Sequence, residues 1–541
     1  LRRRGGEDPY AGEDFTTLDA DRGYVVTATD GVPLAVREVG PKDARLTVLF
    51  AHGFCNSMGS FHFQRARLAE RWGDQVRMVF YDQRGHGRSS AGPTDSYTVP
   101  QLGQDLESVM RVMVPRGPVV LVGHSMGGMT IQAWSPFQKG WFDGVFLGDR
   151  ENYAALNEAL RKAVTMDPEE ITDLLTAVKI KGRGGAEYPL GRKWSQARAV
   201  RGERKVVICN ADEGETTTFK DRELICHDPF NLIEAMIIAA YVVGASDGFI
   251  YMRAEYACFR PLLLNAIRQA KNYGFLGTNI LGRGFDFDIH LYSGAGAYVC
   301  GEGTALIRSI EGKAGRPRMK PPFIKVSGVF ARPTCLNNVE TLSLVPHLLL
   351  DEEGVYASCG SGESIGTKLV SVAGNVNHPG VFEIPFGTTV REILYGLAGG
   401  IQHDRKIRLI QFGGASGKIA DDSILDTPYT YEDLRAAGVM VGSGGMLVID
   451  ERTSVLDFLR MNQEFFWEES CGQCTPCREG NLHIKIILDK MAAGTATRED
   501  IAIMMKIARV MSMSSFCGLG ETAQNSLLSA MKVFPDLFDI G

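Results

Sequence analysis

Four cysteines near the C-terminus constrain this chain more than any other feature of its sequence. Cys471, Cys474 and Cys477 follow C-x-x-C-x-x-C spacing, and Cys517 comes forty residues later. Three thiolates in one short turn and a distant fourth can enclose a [4Fe–4S] cube. Structural zinc is usually held by paired C-x-x-C hooks, so a zinc knuckle is the alternative for these residues. Apolar residues at helical spacing over 479–513 predict a small helical bundle with the four thiols at its end.

The composition is that of a multidomain globular protein. A length of 541 residues predicts about three to four domains, and the hydrophobic fraction of 44% allows an ample core. The net charge of −6 gives no reason to expect nucleic acid or an anionic membrane as a partner. Eleven cysteines without a secretory signal favour reduced thiols in the cytoplasm. The most apolar stretch, 235–245, is much shorter than the about 20 residues of a membrane span, so no direct membrane insertion is expected.

The first 136 residues differ in pattern from the rest of the chain. Three short apolar strands each run into a loop, and they are Val48–Ala51, Met78–Tyr81 and Val119–Val122. The third strand leads into Gly-His-Ser-Met-Gly around Ser125, the G-x-S-x-G pattern of a nucleophile elbow. This order of signals resembles the N-terminal half of an α/β-hydrolase. The resemblance implies that Ser125 is the nucleophile and that the amides of Phe54 and Met126 form an oxyanion hole.

The rest of a hydrolase triad is not visible in the sequence. In that fold the acid and the histidine follow the serine, whereas here Ser135-Pro136 ends the next helix and all later histidines fall in a different pattern. Without a base, a serine hydroxyl is weakly nucleophilic, so a serine hydrolase is the disfavoured alternative function. We interpret residues 1–136 as a partial hydrolase-like segment that comes from a gene fusion, a chimera or a misjoined sequence. The start at Leu1, which lacks an initiator Met, is expected of a fragment or a processed end.

Glycine-rich loops and polar strand ends characterise the remainder of the chain. The run 182–191 has four glycines and is followed by Lys193, so its backbone amides can approach a phosphate closely. The strand Val206–Cys209 ends in Asn-Ala-Asp-Glu-Gly-Glu, and α/β sheets bind ligands at such carboxyl ends. The run Gly413–Lys418 imitates a P-loop but lacks its spacing and its hydroxyl, so no phosphate site is predicted there.

Together with the cysteines, these motifs closely resemble the NADH-oxidising flavoprotein subunit of respiratory complex I. They are equally similar to the diaphorase subunits of NAD-linked hydrogenases and formate dehydrogenases. The resemblance covers about 148–541. It implies an NADH dehydrogenase in which NAD(P)H gives a hydride to FMN and the [4Fe–4S] cluster passes single electrons to a partner. The implied partners are a thioredoxin-like [2Fe–2S] subunit and further iron–sulfur or catalytic subunits, in the cytoplasm or peripherally on a membrane-bound complex. A non-catalytic subunit that has lost its cofactors is the remaining alternative.

The resemblance also implies roles for individual residues. The FMN phosphate and ribityl chain would be held by Gly182, Arg183, Gly184, Gly185, Ala186 and Lys193. The isoalloxazine and ribityl would be lined by Asn210, Asp212, Glu213, Tyr298, Gly301, Glu302, Asn337 and Asn338. For the nucleotide, the resemblance implies stacking by Tyr188 and Phe323, ribose contacts by Glu215 and an adenosine contact by Lys320. Glu215 and Glu302 are the implied catalytic residues, and the metal ligands are Cys471, Cys474, Cys477 and Cys517.

The predicted fold class is multidomain α/β. Its parts are a truncated α/β-hydrolase-like half at 1–136, an FMN-binding Rossmann-like α/β domain at 137–366, a β-grasp (ubiquitin-like) domain at 367–450 and a C-terminal helical bundle with the iron–sulfur cluster at 451–541. The β-grasp domain is predicted to be non-catalytic. Three departures from the family pattern matter for the site. Glu187 replaces a glycine of the phosphate loop, Thr216-Thr217 replaces a Pro-Gly after Glu215, and Gly303 replaces the second glutamate of a Gly-Glu-Glu.

Overall fold

The computed structural model describes residues 20–44, 46–53, 57–114, 119–123, 126, 130–131, 157–202, 204–351 and 354–540. The chain forms two compact units that divide at residues 149 and 150. The predicted nucleophile Ser125 and the oxyanion residue Phe54 lie outside the described residues.

The N-terminal unit is built on one mixed sheet of five strands in the order β1-β2-β4-β3-β5. Strands β1, β2 and β4 pair antiparallel, whereas β3 pairs parallel with both β4 and β5. All three predicted strands are present and correspond to β3, β4 and β5. The elements are β1 Arg22–Thr27, β2 Pro33–Val39, β3 Leu46–Ala51, α1 His62–Trp72, β4 Val76–Tyr81, α2 Val99–Met113 and β5 Val119–Gly123.

The second unit begins with a parallel sheet of four strands in the order β8-β7-β6-β9. Helix α7 is the buried centre of this layer, since it is apolar all round and nearly every residue in it is buried. The strands are β6 Lys205–Ala211, β7 Ala245–Met252, β8 Asp288–Ser293 and β9 Thr334–Asn338. The helices are α3 Glu158–Ala163, α4 Pro168–Ala177, α5 Leu190–Ala199, α6 Lys220–His227, α7 Pro229–Val243, α8 Arg260–Asn272, α9 Gly303–Ile310, α10 Val339–Leu350 and α11 Val355–Ser358.

A second, mixed sheet follows, in the order β13-β12-β16-β14-β15. Its central pair β12 and β16 is parallel, and the flanking pairs are antiparallel. The elements are the small ribbon β10 Gly360–Ser361 and β11 Ser364–Ile365, then β12 Thr367–Gly374, β13 Gly380–Pro385, β14 Ile407–Phe412, β15 Lys418–Ala420, α12 Tyr431–Ala436 and β16 Gly445–Asp450. Its core is separate from that of the helices that follow, as expected of a small domain with its own fold.

The chain ends in a helical bundle, as the apolar periodicity predicts. The helices are α13 Val455–Glu468, α14 Thr475–Ala492, α15 Arg498–Ser514, α16 Gly518–Thr522 and α17 Asn525–Val533. The predicted helical stretch 479–513 is divided into α14 and α15, and Thr497 starts the second helix by accepting a hydrogen bond from Asp500 N. Within the described ranges no single helix is long and apolar enough to cross a membrane. Helices α6 and α7 taken together are long and apolar enough by length and composition alone, and the angle between them is 98°.

Candidate flavin, nucleotide and iron–sulfur sites

One large cleft opens at the carboxyl ends of the parallel strands of the second unit. Its volume is about 860 Å³, which is ample for a cofactor together with a nucleotide. Strands β6 and β9 are neighbours, so the polar residues that follow them lie side by side, with Asn210 and Asn338 both on the cleft wall. The loop before α5 supplies a glycine-rich wall, and the turn Tyr298–Gly301 supplies another.

Most of the residues that the sequence assigns to cofactor and nucleotide line this cleft. They are Gly182, Gly184, Gly185, Ala186, Tyr188, Lys193, Asn210, Asp212, Glu213, Glu215, Tyr298, Gly301, Glu302, Lys320, Phe323 and Asn338. Arg183 and Asn337 do not line it. The Arg183 guanidinium is buried and donates to the hydroxyls of Tyr431, at 2.9 Å, and Tyr356, at 3.1 Å. Asn337 is buried and donates to Cys335 Sγ at 3.5 Å.

The glycine loop has the form of a cradle for a phosphate group. Gly185 has a φ of 98°, which favours glycine, and a Cβ at Gly184 would lie 3.1 Å from Asn338 Cβ. The loop backbone can therefore approach a ligand without side chains in between. Lys193 lies on the same cleft and donates to Leu336 O at 3.2 Å. The residues present fit the phosphate of FMN.

Glu187, which departs from the family glycine in this loop, is directed away from the cleft. Its carboxylate pairs with Arg435 at the end of α12, with an N–O distance of 2.9 Å. Its backbone φ is 53°, a left-handed conformation that glycine adopts without strain. Burial raises the pKa of Glu187, although Arg435 opposes this shift. The carboxylate thus adds no charge to the phosphate cradle and instead ties the loop to the second sheet.

Glu215 is fixed by one residue of its own domain and by one residue of the second sheet. Tyr298 donates to its Oε1 at 2.7 Å, and the hydroxyl of Ser416 donates to the same oxygen. Burial raises the pKa of Glu215, and these two hydrogen bonds oppose that shift. The carboxylate is half-buried and lines the cleft, so its orientation is set before any ligand binds.

Glu302 and Lys320 form the opposite corner of the cleft. Lys320 Nζ lies 2.9 Å from Glu302 Oε1, and Glu302 Oε2 accepts from the backbone amides of Thr304 and Ala305 at the start of α9. Burial alone would raise the pKa of Glu302, but the hydrogen bonds from Lys320 and Thr304 hold it below its ordinary value. Near this corner the rings of Tyr188 and Phe323 are 37% and 54% exposed, which leaves them free to stack on a ligand and argues against core packing.

A chain of buried charges lies below the cleft. Lys368 Nζ donates to Glu340 Oε2 at 2.7 Å, and Lys220 Nζ lies 3.1 Å from the same oxygen. Lys220 also pairs with Asp221 at 2.6 Å. Burial alone would raise the pKa of Glu340, but Lys368, Lys220 and Arg183 overcome it and hold the pKa at about 2. These charges connect α6, α10 and β12, and Lys220 and Asp221 reach the cleft itself.

Asp212 and Glu213 follow β6 and serve different purposes. Glu213 accepts from the backbone amides of Asp221, at 2.9 Å, and Arg222, at 3.2 Å, so it caps α6. Asp212 is half-buried, and burial raises its pKa to about 7 although Arg253 opposes the shift. Asp212 is therefore a group on the cleft wall whose charge changes near neutral pH.

The second sheet contributes cleft residues that the sequence reasoning missed. Gly413, Ser416, Met440, Gly442 and Ser443 all line the cleft. The loop that imitates a P-loop is therefore part of the site, although its role is to hold Glu215. The spacing of this loop does not predict a phosphate site. Only its glycine content indicates, from the sequence, that the loop could belong to a ligand site. The domain supports the site through the contact of Ser416 with Glu215. That the domain is non-catalytic stays a prediction.

The four C-terminal cysteines surround one cavity. Cys471, Cys474, Cys477 and Cys517 all line it, together with apolar side chains that include Pro317 and Phe516. Within the described part of the chain no group of three or more His, Cys, Asp or Glu is arranged to hold a single metal ion. Four thiols around one space, three of them from one short stretch of chain, fit a cluster.

Hydrogen bonds support this thiol set from the protein side. Asn481 Nδ2 donates to Cys477 Sγ at 3.3 Å, and Ser470 Oγ lies 3.4 Å from the same sulfur. Such donors to cluster sulfurs tune the reduction potential. All ten cysteines in the described ranges are free, so the thiols of this cavity are available as ligands.

In the N-terminal unit, the polar groups that directly follow β3 and β4 are committed to the fold. His52 Nε2 accepts from Gln83 N at 2.9 Å, and burial lowers the pKa of His52. Asp82 accepts from Met58 N at 2.7 Å and from Arg88 N at 2.8 Å. Neither group is placed as an uncommitted acid or base.

Comparison with known proteins finds four family matches along the chain. Residues 175–347 match the Nuo51 FMN-binding domain, 369–420 match the SLBB domain, and 457–540 match the NADH-ubiquinone oxidoreductase-F iron-sulfur binding region. Residues 48–252 match the alpha/beta hydrolase family. This last match overlaps the FMN-binding match, but the described strands after 200 pair within their own sheet and not with β1–β5. The predicted fold class is confirmed.

Relatives that cover most of this chain are named as oxidoreductase or hydrogenase proteins. The NADP-reducing hydrogenase subunit HndC of Solidesulfovibrio fructosivorans is 41% identical over 72% of this chain and 80% of the relative. An NADH-quinone oxidoreductase subunit of Rhizobium meliloti is 41% identical over 70% of this chain and 90% of the relative. A solved NAD⁺-reducing [NiFe]-hydrogenase in the H₂-reduced state superimposes with a TM-score of 0.65 at 28% identity, over 81% of this chain and 80% of that chain.

Fold and site together define an oxidoreductase with FMN and an iron–sulfur centre. The matches confirm the prediction of NADH oxidation with electron transfer through FMN to a [4Fe–4S] cluster. The chain belongs to the NADH-quinone oxidoreductase F family.

Proposed function

We propose that this chain is the NADH-oxidising subunit of a larger complex and that it hands electrons to a thioredoxin-like [2Fe–2S] subunit and further iron–sulfur subunits. The observation that carries the proposal is the composition of the cleft, which joins a phosphate cradle, fixed carboxylates and exposed aromatic rings in the unit that also holds the four-cysteine cavity. The family relatives named as subunits of oxidoreductases and hydrogenases support a place in a complex.

When bound, FMN and the cluster supply the conversion of a two-electron hydride into single electrons. The protein residues supply position and charge. The loop Gly182–Ala186 and Lys193 hold the phosphate end of FMN, and the cleft residues Asn210, Gly301 and Asn338 line the rest of it. Cys471, Cys474, Cys477 and Cys517 hold the cluster.

The nucleotide is positioned by the remaining residues of the cleft. Glu215 accepts hydrogen bonds from a ribose of NADH, because Tyr298 and Ser416 fix its carboxylate. Lys320, which pairs with Glu302, contacts the adenosine side, and Tyr188 and Phe323 stack on the nucleotide rings. Orientation and exclusion of water are the main contributions of such a site, since hydride transfer needs no proton donor. The cytoplasm, in solution or at the surface of a membrane-bound complex, is the proposed location.

A spectroscopic titration of the native protein without oxygen tests the proposal. The purified chain should show a flavin band above a broad iron–sulfur absorption, and NADH should bleach the flavin band. A matched titration of Glu215→Gln should need more NADH for the same bleaching, because the fixed carboxylate is lost, while the iron–sulfur absorption stays unchanged. Colourless protein, or a flavin that NADH leaves oxidised, would contradict the proposal.

A further inference from the structure

The flavin cleft and the four-cysteine cavity share a wall. Val299 and Leu519 line both spaces, whereas Tyr298 and Gly518 line only the cleft. Cys517 faces the cluster cavity and Gly518 faces the cleft, so the chain passes from one space to the other within two residues. At this point the partition between the two spaces is a single layer of side chains.

Both residues of this layer are buried and apolar. Val299 is 5% exposed and Leu519 is 7% exposed, and both belong to the hydrophobic core that continues into the helical bundle. A dry layer between two redox sites keeps water from either site and fixes the separation between them. Reduction potentials of iron–sulfur clusters depend on this kind of solvent exclusion.

The turn that carries Val299 is held by contacts with the helical bundle. Tyr298 N, next to Val299, donates to Glu469 Oε2 at 2.9 Å, and Glu469 immediately precedes the wall residue Ser470 of the cluster cavity. The Tyr298 ring packs edge-on against Phe465 with centroids 5.2 Å apart. The turn that carries Val299 is thus anchored on α13, beside the cysteine loop.

We infer that Val299 and Leu519 are the partition across which electrons pass between flavin and cluster, and that they act as positioning residues which set the reduction potentials of both sites. This inference rests on the proposed function. Each NADH delivers two electrons to the flavin side, and these cross the partition one at a time to the cluster, while protons leave to solvent through the cleft. The side chains themselves are neither oxidised nor reduced.

Potentiometric titration of the native holoprotein and its variants tests the inference, with flavin followed by absorbance and the cluster by EPR. Leu519→Ala opens the layer, and water stabilises the more negatively charged reduced forms, so both midpoint potentials should shift to more positive values. Leu519→Met, which restores the bulk, should return both to the native values. Val299→Ala tests the same layer from the other side and should shift both as well.

Three control variants separate this role from simple packing. Phe516 lines the cluster cavity alone, so Phe516→Ala should shift only the midpoint potential of the cluster. Thr522 lines the cleft alone, so Thr522→Ala should leave the cluster potential unchanged. Leu527→Ala removes another buried leucine of the same core, one that lines neither space, and should shift neither. The inference is overturned if Leu519→Ala and Val299→Ala each shift the midpoint potential of only one site. It is also overturned if neither variant shifts a potential by more than Leu527→Ala does. A native protein without flavin or cluster would instead refute the proposed function.

Discussion

The buried pair of Glu340 and Lys368 should be essential to the stability of the second unit. Both side chains are almost fully buried, at 2% and 1% exposure, and their charged atoms are 2.7 Å apart. Replacing Lys368 with Met leaves the Glu340 carboxylate buried with Lys220 as its remaining lysine partner at 3.1 Å. Loss of one partner of a buried ion pair typically costs about 3–5 kcal/mol. Because Lys220 compensates in part, we expect Lys368→Met to lower the free energy of unfolding by about 3 kcal/mol.

Urea unfolding at pH 7.5, followed by the fluorescence of released flavin, measures this cost. Glu340→Gln should also be destabilising, because it leaves Lys368 buried without its carboxylate partner and Lys220 with Asp221 alone. The double variant should lose about 1–2 kcal/mol less than the sum of the single variants, since neither charge is then left alone. Lys271→Met, which breaks an exposed pair with Asp288 at 2.8 Å, should cost less than about 1 kcal/mol.

The pH dependence of the same pair has a definite sign. The pKa of Glu340 is held at about 2 in the folded protein, below its ordinary value of 4.5. Its carboxylate therefore contributes stability that is complete above pH 4.5 and is lost as the pH falls toward 2, by about 3 kcal/mol. The stability difference between native protein and Glu340→Gln should shrink over that acid range. This account of the buried charges would be refuted if Lys368→Met lowered the free energy of unfolding no more than Lys271→Met does. It would also be refuted if the cost of the double variant equalled the sum of the two single variants.

Three further predictions concern the sites. Cys474→Ala should leave reduction of the flavin by NADH intact and abolish transfer to the partner, and four iron atoms still bound in that variant would exclude the cluster assignment. Gly303→Glu should lower kcat/KM for NADPH relative to NADH by about 5–150-fold, because a carboxylate repels a 2′-phosphate by about 1–3 kcal/mol. A Cβ at Gly303 would lie 3.6 Å from Ile324 and Leu336, so the side chain can be accommodated. Gly303→Gln is the uncharged control. An unchanged ratio of the two kcat/KM values would show that position 303 does not face the ribose. Ser125 should not react with a fluorophosphonate probe, and rapid stoichiometric labelling would revive the hydrolase alternative.

Local spacing carried much of the site prediction. Cys471, Cys474 and Cys477 are spaced only three residues apart in sequence. One turn and the start of a helix therefore bring their thiols to the same cavity. Asn210 and Asn338 follow strands that are neighbours in a parallel sheet, and such strand ends meet at one edge whatever lies between them. These features depend on few contacts and could be predicted before the fold was known.

Features that depend on distant contacts could not be predicted in this way. Arg183 turns from the cleft because Tyr431, 248 residues later, accepts its hydrogen bond. Glu187 turns outward for the same kind of reason, toward Arg435. The contact of Ser416 with Glu215 joins residues 201 positions apart. No pattern around any of these residues specifies its partner, since the partners belong to a separately folded sheet.

The contact of the 413–417 loop with Glu215 makes the flavin cleft a joint product of two domains. Asn525 donates to Ser416 O at 2.8 Å, so the C-terminal helices hold the loop in place as well. A ligand that binds only the assembled cleft stabilises that assembly, and its affinity falls in proportion to the fraction of molecules in which the domains are docked. Substitutions at the far side of the second sheet that weaken docking therefore act on cofactor retention without touching the cofactor.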